Sequence, residues 1–149
     1  MRKIITGGMA LALGVSTAVA GGAFAGSNGA QKAGLSSTSG DQSNCQAGSS
    51  GNGWAILNGP GQPGTIKFLN GEVHLVDPTA PNQTFQIYIG SGSGGGMNCM
   101  MTTDTLTTND QGIGNGHISN ATGFPAGQYY VALFQANNEK YASAPVFVN

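Results

Sequence analysis

The residues of this chain that could do chemistry are two histidines, two cysteines and a group of methionines close to the second cysteine. Imidazole, thiolate and thioether groups on a β-fold are the ligands of a blue-copper site. The candidate copper ligands are His74, Cys99 and His117, with Met97, Met100 or Met101 in the axial position. Such sites usually take their cysteine, second histidine and methionine from one short loop, whereas Cys99 and His117 are eighteen positions apart. The spacing therefore disfavours copper.

The two cysteines have an alternative use, because an isolated pair in an oxidising compartment usually forms a disulfide. A bridge between Cys45 and Cys99 would close a loop of about 55 residues and contribute about 4 kcal/mol in the chain-entropy model. It would also consume the thiolate that copper needs. Two free thiols or an intermolecular bridge are the remaining alternatives.

The sequence contains no arrangement typical of an enzyme. No serine lies in a G-x-S-x-G motif, and neither histidine has an identifiable catalytic partner. Gly90-x-Gly92-x-x-Gly95 matches the letters of a dinucleotide fingerprint, but no helical pattern follows to receive a pyrophosphate. We therefore predict a protein that is not an enzyme and has no cofactor.

Aromatic residues form the candidate binding surface, and those selected are Trp54, Tyr88, Tyr129 and Tyr130. Tyr129 and Tyr130 are neighbours on one predicted strand and must point to opposite faces of a sheet. One of them is expected in the core, while the other could join an exposed patch that stacks on sugars or contacts a partner. The alternative is that these rings simply pack the core.

Residues 1–25 have the pattern of a secretory signal peptide. Arg2 and Lys3 precede an apolar run that is diluted by Gly, Ser and Thr, and Ala23-Phe24-Ala25 fits the cleavage pattern. A spanning helix would need about 20 strongly apolar residues. We therefore predict a secreted protein that no membrane retains after cleavage. Ala18-Val19-Ala20 is a second acceptable cleavage site.

Cleavage would leave three lysines, six carboxylates and no arginine, a net charge of minus three. Binding to nucleic acid depends on clustered lysine and arginine. The composition therefore excludes nucleic acid as a partner.

The remainder of the chain divides into two parts. Residues 26–52 are mostly small and polar, so we predict a flexible leader. Residues 53–149 alternate short apolar runs with turn signals such as Asn70-Gly71. This spacing predicts an all-β domain, an antiparallel Ig-like sandwich of about seven to nine strands.

Four segments carry a family resemblance: GEVHLVDPTAPNQTFQIYI, TLTTNDQGIGNGHIS, PAGQYYVALF and YASAPVFV. They resemble small exported Ig-like β-sandwich proteins of actinobacteria and other bacteria, most of which have no known role. They are more distantly similar to apoproteins of the neocarzinostatin type, which carry a chromophore in a cleft. That second resemblance implies a carrier of a small apolar ligand, although those proteins have two disulfides in a shorter chain.

Three kinds of function follow from these patterns. The first is a non-catalytic extracellular binding or cell-surface interaction domain, whose partner is a protein, a glycan or a small apolar ligand. The second is the chromophore carrier, and a copper-binding sandwich is a further alternative. An open cleft lined by Trp54 and one of Tyr129 or Tyr130 would favour the carrier.

Overall fold

A computed structural model describes residues 30–59, 68–92 and 99–148 of the chain. The predicted signal peptide and the start of the predicted leader lie outside these residues. The described part forms nine strands and no helix that could cross a membrane. The strands are β1 (Gln31–Ser37), β2 (Gly53–Asn58), β3 (Phe68–Val76), β4 (Thr84–Ser91), β5 (Cys99–Thr108), β6 (Ile113–Thr122), β7 (Gly127–Gln135), β8 (Asn138–Ser143) and β9 (Val146–Val148).

All strand pairs are antiparallel, and their order is β4-β5-β6-β3-β2-β1-β8-β7-β9. An additional pairing joins β4 to β7 over Gln86–Ser91 and Tyr129–Phe134, so the sheet closes into an eight-stranded barrel. The prediction of an antiparallel all-β domain is confirmed. The predicted division into two sheets differs from this arrangement, because β7 bonds to β4 on one side and to β8 and β9 on the other.

The connections follow a Greek-key pattern. β4, β5 and β6 are neighbours both in sequence and in the sheet. The strand before them, β3, lies next to β6, and the strand after them, β7, lies next to β4. This path brings strands together that are distant in sequence.

The Asn70-Gly71 pair does not form the predicted hairpin turn. Both residues lie inside β3, where the register with β6 shifts between Leu69 and Gly71. A Cβ atom on Gly71 would lie 2.3 Å from the carbonyl oxygen of Ile56, so glycine permits a β-bulge with close backbone approach.

The barrel interior is filled by side chains that alternate along the strands. Phe85, Ile87 and Ile89 of β4 all point inward, because alternate residues of a strand share one face. They meet Val131 and Leu133 of β7, which are fully buried. The interior is therefore a packed apolar core.

The predicted flexible leader is wrong for residues 31–52. β1 lies between β2 and β8, and its Leu35 is fully buried in the core. Residues 38–52, which we call the strap, then cross the outside of the barrel and cover part of β4, β7 and β8. The polar composition of this segment predicted disorder. The segment is nevertheless ordered, because β1 forms backbone hydrogen bonds with both β2 and β8, and composition does not indicate such pairing.

Candidate functional site

The outer face of β1, β2 and β3 carries an aromatic stack centred on Trp54. The indole ring stacks on the imidazole of His74, with ring centroids 5.4 Å apart and planes 25° apart. Lys32 Nζ lies 4.5 Å from the indole centroid. β1 and β3 flank β2 on opposite sides, so Lys32 and His74 pack against Trp54 from both sides. Both contacts are favourable for an aromatic ring.

Polar side chains border this stack on the adjoining strand β6. His74 Nδ1 lies 2.6 Å from Asn115 Oδ1, so the ring donates its Nδ1 proton to the amide oxygen. His117 Nδ1 lies 3.6 Å from Glu72 Oε1, and both of these side chains are largely exposed. Apolar Ile56 and Val76 lie on the same outer face, because they alternate with the buried residues of β2 and β3. We call this surface the Trp54 face.

The three tyrosines selected from the sequence do not join Trp54 on this face. Tyr129 is buried in the barrel interior, where its ring packs edge-on against Phe124. Tyr88 and Tyr130 are buried outside the barrel, beneath the strap. The structure therefore separates Trp54 from Tyr129 and Tyr130, and these residues do not line one common cleft.

A disulfide joins Cys45 of the strap to Cys99 at the start of β5, as the sequence predicted. The Tyr130 hydroxyl donates a hydrogen bond to the Cys45 sulfur, at 3.1 Å. Gly90, which pairs with both Cys99 and Tyr130, makes room for the tyrosine: a Cβ there would lie 2.1 Å from Tyr130 Cζ. Burial is the main cause that raises the pKa of Tyr130, to about 12, so the hydroxyl keeps its proton.

Glu139 of β8 lies beneath the strap and was not singled out by the sequence. Its side chain is only 1% exposed. Glu139 Oε2 accepts a hydrogen bond from the Gln46 backbone N–H at 3.0 Å, while Oε1 has no partner in the part of the chain that the structure describes. Burial raises the pKa of this carboxyl group, against the smaller opposing effects of the Thr38 hydroxyl and the Gln46 backbone N–H. A glutamate directly after two asparagines gave no signal of burial in the sequence.

A second carboxylate, Asp77, connects three segments at one end of the barrel. It accepts hydrogen bonds from the Thr79 hydroxyl at 2.7 Å, from the Tyr141 hydroxyl at 2.7 Å and from the Asn52 amide at 3.3 Å. The Thr79 hydroxyl, with a smaller contribution from Tyr141, holds the pKa of Asp77 below its usual range despite burial. Asp77 therefore has a structural role, because its hydrogen bonds hold these segments together.

Of the candidate copper ligands, Met97 lies outside the described residues, and Cys99, His74 and His117 are not assembled into one set. Cys99 is in the disulfide, and His74 and His117 lie on the outer faces of β3 and β6. Within the described ranges, only one group of three potential ligands has all its ligand atoms within 4.8 Å of one another, and it consists of Cys45, Cys99 and Glu139. This group contains no histidine.

The fold and these contacts define a Greek-key antiparallel barrel with a disulfide-bound strap and a polar-aromatic outer face. Comparison of the chain with protein-family models, with curated proteins and with solved structures finds no match.

Proposed function

We propose that this protein is an exported, non-catalytic interaction module that binds an extracellular protein partner through the Trp54 face. The stack of Lys32, Trp54 and His74 is the single observation that carries the proposal. The kinship with exported Ig-like proteins is part of the same proposal and rests on the sequence resemblance.

Export is supported by the sequence and is compatible with the disulfide. Residues 1–25 have the order of charged, apolar and small-residue segments that signal peptidase reads. Disulfides persist mainly in oxidising compartments. The Cys45–Cys99 bridge therefore suits a secreted protein.

The Trp54 face has the composition of a protein-binding surface. Tryptophan is enriched among the residues that dominate binding energy at protein interfaces. Such residues are surrounded by contacts that exclude water, and the rim of the interface is polar. Here Trp54, Ile56 and Val76 provide apolar area, while Glu72, His117 and Asn115 border it. Because Lys32 and His74 already pack on both sides of the indole, a sugar ring has little free aromatic face on which to stack. This favours a protein over a glycan.

The fluorescence of the mature protein tests this proposal directly, because Trp54 is the only tryptophan of the chain. The binding target in this test is a preparation of cell envelopes from the source organism with their proteins retained. We expect the protein to co-sediment with these envelopes and the emission of Trp54 to shift on binding. Trp54→Ala should weaken co-sedimentation by about 30-fold or more, the effect of losing about 2 kcal/mol at a binding hot spot.

Phe147→Ala is the matched control, because Phe147 is an exposed aromatic residue on β9, outside the Trp54 face. It should leave binding unchanged. Equal binding by Trp54→Ala would overturn the proposal. Undiminished binding to envelopes stripped of protein would indicate that the Trp54 face binds a glycan instead. An absence of binding to any envelope preparation would also count against a protein partner.

A further inference from the structure

The space between the strap and the barrel wall brings three metal-binding groups together. The sulfurs of Cys45 and Cys99 and a carboxylate oxygen of Glu139 lie within 4.8 Å of one another. They come from the strap, β5 and β8, so only the folded barrel assembles them. In the disulfide form both sulfurs are bonded to each other and are not available as thiolates.

Glu139 provides an independent indication of a ligand. Oε1 is a buried oxygen without a hydrogen-bond partner among the residues described, while Oε2 is bonded to the strap through Gln46. A buried carboxylate normally pairs with a cation or is fully hydrogen-bonded, because an uncompensated charge is costly. The neighbouring groups are the disulfide, which offers neither a cation nor a donor, and the Thr38 hydroxyl, whose oxygen is also buried without a hydrogen-bond partner in the described part of the chain.

We propose that reduction of the Cys45–Cys99 disulfide converts this cluster into a Zn²⁺ site, with two thiolates and the Glu139 carboxylate as ligands. Cysteine sulfur and glutamate oxygen are both normal zinc ligands. Three protein ligands leave one position of a tetrahedral ion for water or another small ligand. Thiolates also favour Zn²⁺ over hard cations such as Mg²⁺ and Ca²⁺.

A dithiol reductant can carry out the conversion. Its thiolate attacks one sulfur, the S–S bond breaks and the other sulfur leaves as a thiolate; the second thiol of the reductant then resolves the mixed disulfide. The protein gains two electrons and two protons, and the reductant becomes a disulfide. Zn²⁺ then displaces the two thiol protons, and the Glu139 proton where the carboxyl is protonated, into solvent.

Tyr130 acts as a positioning residue for this site. Its hydroxyl lies 3.1 Å from the Cys45 sulfur and 3.9 Å from the Cys99 sulfur. At this distance the phenol hydroxyl can donate a hydrogen bond to a thiolate. Hydrogen bonds of this kind orient metal ligands and tune their affinity.

Calorimetric titration of the mature protein with Zn²⁺ tests the proposal. The disulfide is first reduced with a phosphine, which takes oxygen from water and becomes a phosphine oxide. A phosphine is chosen because it leaves no thiol that would compete for the metal. We expect one equivalent to bind the reduced protein and not the oxidised protein. Co²⁺ should give the thiolate charge-transfer bands and intense visible bands of a tetrahedral site. Glu139→Gln should weaken Zn²⁺ binding by at least about tenfold, and Cys45→Ser should abolish binding at this site.

Glu72→Gln is the matched control, because it makes the same change at an exposed carboxylate beside His117. It should leave the affinity unchanged. Circular dichroism of the reduced protein must show the folded barrel, since loss of the fold on reduction would overturn the proposal. Equal Zn²⁺ affinity in the oxidised protein, no binding after reduction, or an unchanged affinity in Glu139→Gln would each overturn it as well.

Discussion

At the scale of single residues, Glu139 shows how burial changes the chemistry of a common side chain. Its carboxyl is enclosed by the strap and the outer face of the barrel, with one oxygen hydrogen-bonded and the other without a partner among the described residues. The folded protein therefore favours the protonated form more than the unfolded chain does.

The resulting pH dependence has a definite sign. The stability that protonated Glu139 contributes is complete below the ordinary glutamate pKa of 4.5 and is lost as the pH rises through the raised pKa of the folded state. Glu139→Gln keeps a neutral side chain at every pH. We expect the variant to be more stable than the wild type at neutral pH, with a difference that shrinks towards about pH 4.

Urea denaturation over this pH range measures the difference between the two proteins. Contributions from other groups, including the opposite effect of Asp77, are common to both and cancel. Glu72→Gln should follow the wild type, because that carboxylate is exposed. If the stability of Glu139→Gln ran parallel to that of the wild type over the whole range, Glu139 would not be the titrating group.

At the scale of secondary-structure elements, β1 and the strap are the parts that the sequence obscured. β1 has few apolar residues, yet it completes the barrel between β2 and β8. The strap leaves β1 and is bonded to β8 by Thr38 N–H to Lys140 O and by Glu139 N–H to Gly40 O, each at 2.9 Å. A segment of polar composition is thus ordered by backbone bonds rather than by its own burial.

Leu35→Ala tests the structural role of β1. Leu35 is fully buried, so its truncation should lower the free energy of unfolding by about 3 kcal/mol, as at other core leucines. Chemical denaturation of the mature protein measures this loss. Ser37→Ala, at the exposed end of the same strand, should change stability by less than about 0.5 kcal/mol. An equally small effect at Leu35 would mean that β1 contributes little to the fold in solution.

At the scale of the whole molecule, the barrel depends on contacts between distant parts of the chain. β4 pairs with β7, and β1 pairs with β8. The disulfide adds a covalent link across 54 positions and holds the strap over the outer cluster of Tyr88, Tyr130 and Phe134. These links oppose the conformational entropy of a chain rich in glycine.

Replacement of both cysteines should therefore be costly. Cys45→Ser combined with Cys99→Ser should lower the free energy of unfolding by about 4 kcal/mol, because the unfolded chain regains the entropy of the open loop. Denaturation in urea measures the loss, and reduction of the wild type in metal-free buffer should reproduce it. A double variant as stable as the oxidised wild type would show that the bridge does not support the strap.

Much of the fold was accessible from local sequence pattern. Short apolar runs separated by turn signals predicted the strands within residues 53–149. The cysteine pair was also predicted correctly, from cysteine number and the export signal. The same local rules failed at Asn70-Gly71, where a turn signal lies within a bulged strand.

Strand spacing and the number of cysteines were enough to predict the all-β class, the antiparallel strands and the disulfide, because these features depend on short segments and on residue counts. The folded structure was needed to show that the sheet closes, that β1 belongs to it and that Glu139 lies buried beside Cys45 and Cys99. It also decided that Trp54 lies between Lys32 and His74 while the selected tyrosines are buried. Each of these features depends on pairing between distant strands, whose register no single segment encodes.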